Sequence, residues 1–251
     1  MRILIAVLAA ALCLATPARA QTYRLGYSAA VLDVIELGTA NFDVAVMANR
    51  YAVRAGLRTS GLARLFDQTE ITASTTGAVS GGTLNWTRYD ISHAYAGKFR
   101  RIQLTRPGGQ VSAQISPTYS DLGEPAASVA QQGSSYDPLT GLLALGREIG
   151  VARACAGAVL VFDGRQHYRL RVNPRSQGRF SGGGYNGPAL NCTLRYEPIA
   201  GYSADARGDP IPTADAWFAL PAQPGFAPPL RLTVQTPLGA ARLDLRSYEA
   251  R

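Results

Sequence analysis

Two histidines are the side chains of this sequence best suited to acid–base chemistry near neutral pH. His93 and His167 are the only histidines among 251 residues, so a serine or cysteine nucleophile would need one of them as its base. His93 alternates with tyrosine and isoleucine along a predicted strand, which is typical of a half-buried structural histidine. His167 alternates with arginines, which is typical of a solvated strand face. Because the sequence also lacks a G-x-S-x-G motif, we predict no catalytic residues.

Three glycines match a nucleotide-binding motif by spacing, since Gly182, Gly184 and Gly187 read G-x-G-x-x-G. A dinucleotide site also requires a helix that begins at the third glycine, so that the helix N-terminus meets the pyrophosphate. Pro188 and a predicted strand follow here instead. We therefore predict a flexible glycine-rich loop over residues 173–188 and no bound cofactor.

Two cysteines, Cys155 and Cys192, lie outside the apolar segment at the N-terminus. An even pair in an oxidising compartment is most simply one disulfide. Zinc is the alternative, but two ligands do not make a site and no histidine lies at ligand spacing from either cysteine. We favour the disulfide, which would pin the glycine-rich loop between the two cysteines, and predict no bound metal.

Residues 1–20 have the three parts of a cleavable signal peptide: a positive start, an apolar run and an Ala-x-Ala site. Cleavage is predicted between Ala20 and Gln21. The apolar run is shorter than the ~20 residues that a membrane span needs, which disfavours an uncleaved anchor. Cys13 lies inside this run and not at the new N-terminus, so no lipid anchor is predicted. We expect a soluble periplasmic protein without a transmembrane segment after cleavage.

The chain is basic, with a formal net charge of +8 that comes almost entirely from arginine. The arginines are scattered along the chain and the protein is predicted to be exported, so a nucleic-acid partner is not expected. An anionic partner such as lipopolysaccharide is the alternative to a solvated basic surface, and the scattered pattern favours the latter.

Alternation of apolar and polar residues with period two dominates the chain after residue 20, which predicts a mostly β protein. Predicted strands cover residues 23–31, 42–46, 51–57, 70–79, 83–95, 99–105, 111–115, 168–172, 230–234 and 241–245. The segments 120–135 and 204–229 are predicted loops, and residues 162–165 (FDGR) are a predicted tight turn. Neither an internal repeat nor a sharp change in composition divides the chain, so residues 21–251 are predicted to form a single β domain.

One amphipathic helix is predicted over residues 138–149. Asp137 is a suitable cap for its first amides, and Pro138 fits its first turn. Gly150 is the predicted stop signal. Three leucines form an apolar stripe at helical spacing: Leu139, Leu142 and Leu143. We expect this stripe to cover one face of the sheet, or to act as a lid over its open end.

Taken in chain order, these features resemble an uncharacterised family of proteobacterial periplasmic proteins that is known as a domain of unknown function. The motifs that carry the resemblance are turns, core positions and the cysteine pair: residues 23–27 (YRLGY), 59–66 (TSGLARLF), 137–145 (DPLTGLLAL), 161–165 (VFDGR), 199–202 (IAGY), Cys155 and Cys192. The resemblance implies a curved antiparallel sheet, forming a spiral or an unclosed β-barrel, that is remotely similar to the periplasmic lipoprotein carriers. It transfers no catalytic residue.

An unclosed barrel exposes an apolar concave face, which suits a non-catalytic envelope protein. We expect that face to bind a lipid, a lipoprotein or a protein partner and so to support envelope integrity. The alternative is a periplasmic hydrolase of cell-wall glycan or peptide, which requires His93 or His167 beside a carboxylate and a hydroxyl. A structural subunit of an envelope complex is the third hypothesis, and it requires an exposed contact patch instead of a cavity.

Overall fold

The computed structural model describes residues 20–251 except positions 33, 62–63, 65–67, 96, 204–211 and 238. Residues 1–19 of the predicted signal peptide lie outside the described residues, as do parts of the 59–66 motif and of the proline-rich segment. The statements below concern the described residues.

Thirteen antiparallel strands form one sheet in the described part of the chain. In chain order they are β1 (Gln21–Val31), β2 (Ile35–Val46), β3 (Arg50–Thr59), β4 (Glu70–Ser80), β5 (Thr83–Tyr95), β6 (Lys98–Thr105), β7 (Ser112–Ser116), β8 (Ala158–Phe162), β9 (His167–Gly182), β10 (Tyr185–Ala200), β11 (Ala214–Ala219), β12 (Pro229–Thr236) and β13 (Gly239–Ala250). Strand β11 lies in the segment predicted as a proline-rich loop, so that part of the prediction was wrong.

The sheet consists of two meanders that meet where β1 pairs with β13. One meander runs from β1 to β7 and the other from β8 to β13, so β7 and β8 are the two outer strands. These two strands do not pair with each other, which confirms the predicted curved sheet that forms an unclosed barrel.

The two ends of this barrel differ in how they are covered. Val31 lies opposite both Ile35 and Ala241, so the β1–β2 and β12–β13 turns lie at the same end, which we call the open end. The β2–β3 turn and the connection 220–228 lie at the other end, which we call the closed end. Tyr23 is held there, because its hydroxyl donates to the Phe226 carbonyl at 3.4 Å.

Two helices connect the meanders, α1 (Val129–Gly133) and α2 (Pro138–Ala152). The predicted helix over residues 138–149 is confirmed as α2 and is three residues longer. Gly150 does not end the helix, which continues to Ala152 and is capped by Arg153 in a left-handed conformation (φ 51°). Helix α1 occupies part of the predicted loop 120–135, and the capping box that Ser128 and Gln131 form at its start has the S-x-x-Q spacing that could have predicted it.

Helix α2 lies inside the barrel and covers its closed end. Leu143 and Ile149 are fully buried against the sheet. Gly146 brings the helix backbone close to the connection 220–228, where the Ala227 amide donates to the Gly146 carbonyl at 2.9 Å. A Cβ atom at Gly146 would lie 2.5 Å from the Phe226 ring, so this close approach depends on glycine.

The segment that follows β7 pairs with the chain that follows β10. The Glu124 amide donates to the Tyr202 carbonyl at 3.0 Å, and the Gly201 amide donates to the Pro125 carbonyl at 2.8 Å. The predicted turn at residues 162–165 is confirmed, because the Asp163 carboxylate accepts from the Arg165 amide at 2.9 Å. The outer edge of β8 is paired with Tyr136, whose amide donates to the Leu160 carbonyl at 2.9 Å and whose carbonyl accepts from the Phe162 amide at 2.8 Å.

The glycine-rich segment 173–188 is not a loop, and that prediction was wrong. Strands β9 and β10 form a long hairpin whose turn is Gly183-Gly184, both with positive φ. Such residues suit the tight turn that joins twisted strands. Leu190 is buried on the inner side, and Phe180 is buried on the opposite face, where it packs against Trp217. The pairing of two adjacent strands along their backbones therefore stabilises a segment whose composition is typical of loops.

The predicted disulfide is present, with Cys155 and Cys192 joined and their Cα atoms 5.5 Å apart. Cys155 lies between α2 and β8, and Cys192 lies within β10, so the bridge ties the end of the interior helix to the sheet. Both cysteines are buried. The bridge therefore holds the helix connection as well as the hairpin that lies between the two cysteines in sequence.

We expect Cys155→Ala/Cys192→Ala to lower the free energy of unfolding by about 2–4 kcal/mol, because the cross-link restricts a 37-residue loop in the unfolded chain. Guanidinium unfolding followed by the fluorescence of Trp86 and Trp217 measures this loss. Reduction of the wild type with dithiothreitol is the control and should produce the same loss, whereas the double variant should not respond to the reductant. Equal stability of the oxidised and reduced wild type would contradict the prediction.

Candidate functional site

An apolar cavity of about 280 Å³ lies between the concave face of the sheet and helix α2. Strands β1–β4, strands β10–β13 and the connection after β11 supply its walls, and α2 supplies Leu142 and Leu145. Tyr27 and Asn41 are the lining residues with polar side-chain atoms, and the Tyr27 hydroxyl donates to the Pro229 carbonyl at 2.8 Å. The cavity therefore presents hydrocarbon to whatever enters it.

The exposure of the lining residues shows where the cavity opens. Leu145, Ala216 and Phe226 are buried and form its floor. Leu57 and Leu142 keep 41% and 45% of their surface exposed, so they border the mouth. Leu57 lies near the end of β3 that is next to the start of β4, which places the mouth at the open end of the barrel.

The three leucines that the sequence predicted as a lid divide between two positions. Leu139 and Leu143 are buried in the core, whereas Leu142 faces the cavity. Leu145 also lines the cavity and was not part of the predicted stripe, although its spacing of three from Leu142 fits one helix face. The lid role of these leucines stays a prediction.

A buried polar cluster fixes the N-terminus of α2 to the sheet. Asp137 caps the helix as predicted, and its Oδ1 accepts from the Leu139 and Thr140 amides at 3.0 Å each. Its Oδ2 accepts from the hydroxyls of Thr75 on β4 at 2.9 Å and of Thr140 at 2.5 Å. Tyr51 on β3 extends the cluster through its hydroxyl, 2.9 Å from the Thr140 hydroxyl. The helix is therefore anchored to two neighbouring strands.

Burial raises the pKa of Asp137 from 3.8 to about 6, because a charged carboxylate loses its hydration inside the barrel. Hydrogen bonds from Thr140, Thr75 and the Leu139 amide act in the opposite direction and limit the rise. The carboxylate has these partners on both oxygens, which is the arrangement that a structural anchor requires.

The two histidines lie in different surroundings. His167 is only 3% exposed, and neither ring nitrogen has a hydrogen-bond partner. Burial lowers its pKa, with a smaller contribution from the nearby charge of Arg169. The prediction of a solvated His167 was wrong, because its position at the start of β9 lies between Phe162 on β8 and Ala200 on β10, which are both buried. His93 is half-buried, as predicted, and stacks on Tyr95 with ring centroids 4.4 Å apart.

The described residues contain no group of three or more histidine, cysteine, aspartate or glutamate side chains placed to hold a metal ion. None of their helices has both the length and the apolarity needed to cross a membrane.

The fold and the cavity define an unclosed antiparallel β-barrel with an interior helix. No protein-family model and no curated protein matches the chain. Among solved structures, the chain is similar to a β-barrel-like protein of the domain of unknown function DUF1849 from Brucella abortus. The likeness has a TM-score of 0.52 at 11% identity and covers 92% of this chain and 98% of that one. At this identity the likeness concerns the fold, and it supports the predicted similarity to a β-barrel-like domain of unknown function.

We expect Asp137→Asn to remove a pH-dependent contribution to the free energy of unfolding. The folded-state pKa lies above the unfolded value, so the wild type gains stability relative to the variant as the pH falls from above 6 towards 4. A pKa rise from 3.8 to about 6 corresponds to roughly 3 kcal/mol in the free energy of unfolding, reached when the pH is below both pKa values. Urea unfolding of both proteins at pH 4.5, 6.0 and 7.5 measures this difference.

Asp121→Asn is the matched control for this prediction. Asp121 has an exposed carboxylate that pairs with Arg165, so its replacement should not produce a relative gain of the wild type in acid. A difference between wild type and Asp137→Asn that stays constant from pH 4.5 to 7.5 would contradict the prediction.

Proposed function

We propose that this protein is a non-catalytic binding protein of the periplasm whose cavity holds one apolar chain, such as the acyl chain of a lipid or a lipoprotein. The observation that carries the proposal is the apolar cavity bounded by the sheet and by α2. An acyl chain has no polar groups to satisfy, which matches a wall whose few polar atoms lie on Tyr27 and Asn41.

The size of the cavity favours a slender ligand. Its volume of about 280 Å³ is close to the lower limit of ~300 Å³ for small-molecule pockets. A single chain entering from the open end would leave its polar headgroup at the mouth, beside Leu57 and Leu142. Each buried methylene contributes about 0.8 kcal/mol, so a chain that fills the cavity gains enough to offset the loss of its freedom.

The periplasmic address is supported by the N-terminal pattern and by the disulfide. Residues 1–20 have the composition of a signal peptide, and a bridged Cys155–Cys192 pair is typical of proteins that fold in oxidising compartments. Such a location would bring the mouth within reach of the lipids and lipoproteins of the cell envelope, where binding would support envelope integrity.

A non-catalytic role is supported by the surroundings of two buried titratable side chains, Asp137 and His167. Asp137 caps α2 and binds the threonine hydroxyls. His167 is buried with neither nitrogen hydrogen-bonded, so it does not meet the requirement of the hydrolase alternative for a base beside a carboxylate and a hydroxyl.

We expect the purified protein to bind cis-parinaric acid, a fluorescent fatty acid, and Ala40→Trp to weaken this binding at least ten-fold. Ala40 lines the cavity, so an indole at this position would occupy the volume meant for the chain. Fluorescence titration measures the dissociation constant, and native mass spectrometry of protein from the periplasm would show a co-purifying lipid.

Ala45→Trp is the matched control, because Ala45 lies on the same strand and faces the outer surface pocket beside Arg24 and Asp43. It should bind the fatty acid as the wild type does. Circular dichroism of both variants verifies that they are folded. Absence of binding by the wild type, or equal binding by the folded Ala40→Trp variant, would contradict the proposed function.

A further inference from the structure

Large apolar side chains stand exposed on the rim of the open end. Leu32, Val34 and Ile35 occupy the β1–β2 turn and the start of β2, and all three are exposed, Val34 to 82%. We call these three residues the apolar rim. Surface turns ordinarily carry glycine, asparagine, aspartate or serine, so three large apolar residues at one turn form an unusual surface.

The backbone of the β1–β2 turn holds Leu32 at the rim. Leu32 adopts a left-handed conformation with φ 53°, a region that glycine and asparagine populate far more readily than leucine. The Leu32 amide donates to the Ala240 carbonyl at 3.1 Å, and a Cβ atom on Gly239 would collide with the Leu32 side chain. The neighbouring β12–β13 turn therefore holds Leu32 in its strained conformation at the rim.

The apolar rim lies beyond the cavity on two of the strands that line it. Tyr27 on β1 and Ala40 on β2 line the cavity, and the same two strands end in the rim. Ile35 lies five residues from Ala40, which is about 17 Å along an extended strand. A chain that leaves the cavity at its mouth would thus meet the rim next.

We propose that the apolar rim docks on the surface of a phospholipid bilayer, so that an acyl chain passes between the bilayer and the cavity without crossing water. This inference rests on the proposed function, since it assigns the place from which the cavity receives its ligand. Three side chains are too few for a stable protein interface, which takes about 800 Å² from each partner. Insertion of a few apolar side chains among lipids instead gives the weak, reversible attachment that a carrier needs.

Net charge favours the same partner. The chain carries a formal charge of +8, and cleavage after Ala20 would remove Arg2 and Arg19 and leave 8 − 2 = +6. Envelope membranes contain anionic phospholipids that attract basic proteins at low ionic strength. The charge beside the rim is mixed, with exposed Glu36 on β2 and exposed Arg58 on β3, so the attraction comes from the net charge of the whole protein. Docking by the open end would therefore combine apolar insertion with a modest electrostatic attraction.

Flotation with vesicles of phosphatidylethanolamine and phosphatidylglycerol tests this proposal with three variants. We expect the wild type to float with the vesicles and Val34→Asp/Ile35→Asp to lose at least ten-fold in its vesicle partition coefficient. Val151→Asp is the matched control and should float as the wild type does, because Val151 is 58% exposed in the last turn of α2, away from the open end.

The third variant, Ala40→Trp, separates docking from cavity binding. It should float normally while it loses cis-parinaric acid, whereas the rim double variant should bind that soluble probe as the wild type does. Failure of the wild type to float, or unchanged flotation of the rim variant, would overturn the docking proposal and leave cavity binding intact. Failure of the wild type to bind the fatty acid would overturn the proposed function. Self-association that depends on the rim in sedimentation velocity, without flotation, would identify a second copy of the chain as the partner and would also overturn membrane docking.

Discussion

A curved sheet that does not close must cover its apolar concave face with something other than itself, and helix α2 meets that requirement. The helix buries Leu143 and Ile149 against the sheet and comes into backbone contact with residues 225–227 through glycines. Without this cover, the inner faces of thirteen strands would be open to water from both ends. The position of the helix also determines the cavity, which is the part of the concave surface that α2 leaves uncovered.

The attachment of α2 illustrates how a buried charge can be tolerated in an apolar interior. Desolvation of Asp137 is unfavourable, and two amides together with two hydroxyls compensate for it. The hydroxyls matter for geometry as well as for energy, because Thr75 belongs to the sheet. A simple solvent-exposed cap would stabilise the helix equally well but would not specify which strands it lies against.

The features that the sequence could predict are those with a local physical signature. Strands β4, β5 and β6 lie within one residue of the predicted segments, because a sheet with one solvated face alternates strictly. The start of α2 at Asp137 and Pro138 follows from the hydrogen bonds that a helix N-terminus lacks. The disulfide between Cys155 and Cys192 could be predicted because two cysteines in an oxidising compartment normally pair.

The features that the sequence could not predict depend on contacts between distant residues. The hairpin of β9 and β10 is stabilised by backbone pairing along its whole length, although glycine and arginine disfavour a strand prediction. His167 is buried between Phe162 and Ala200 on the neighbouring strands, and Ala200 lies about thirty residues further along the chain. The cavity joins Leu142 and Leu145 to strands of both meanders, so no single segment contains its signature.

The pairing of β1 with β13 has a consequence for the order in which the protein is completed. Thr22 and Arg251 are 229 positions apart, and their backbones exchange hydrogen bonds at 2.9 and 3.0 Å. A chain that emerges N-terminus first therefore holds β1 with one bare edge until nearly every other strand has been made. Pairing between strands so far apart in sequence is slow, and an unpaired strand edge can form hydrogen bonds with another chain. The strand pair at the centre of the finished sheet is thus the last to form. The protein is most prone to aggregation before this pair has formed.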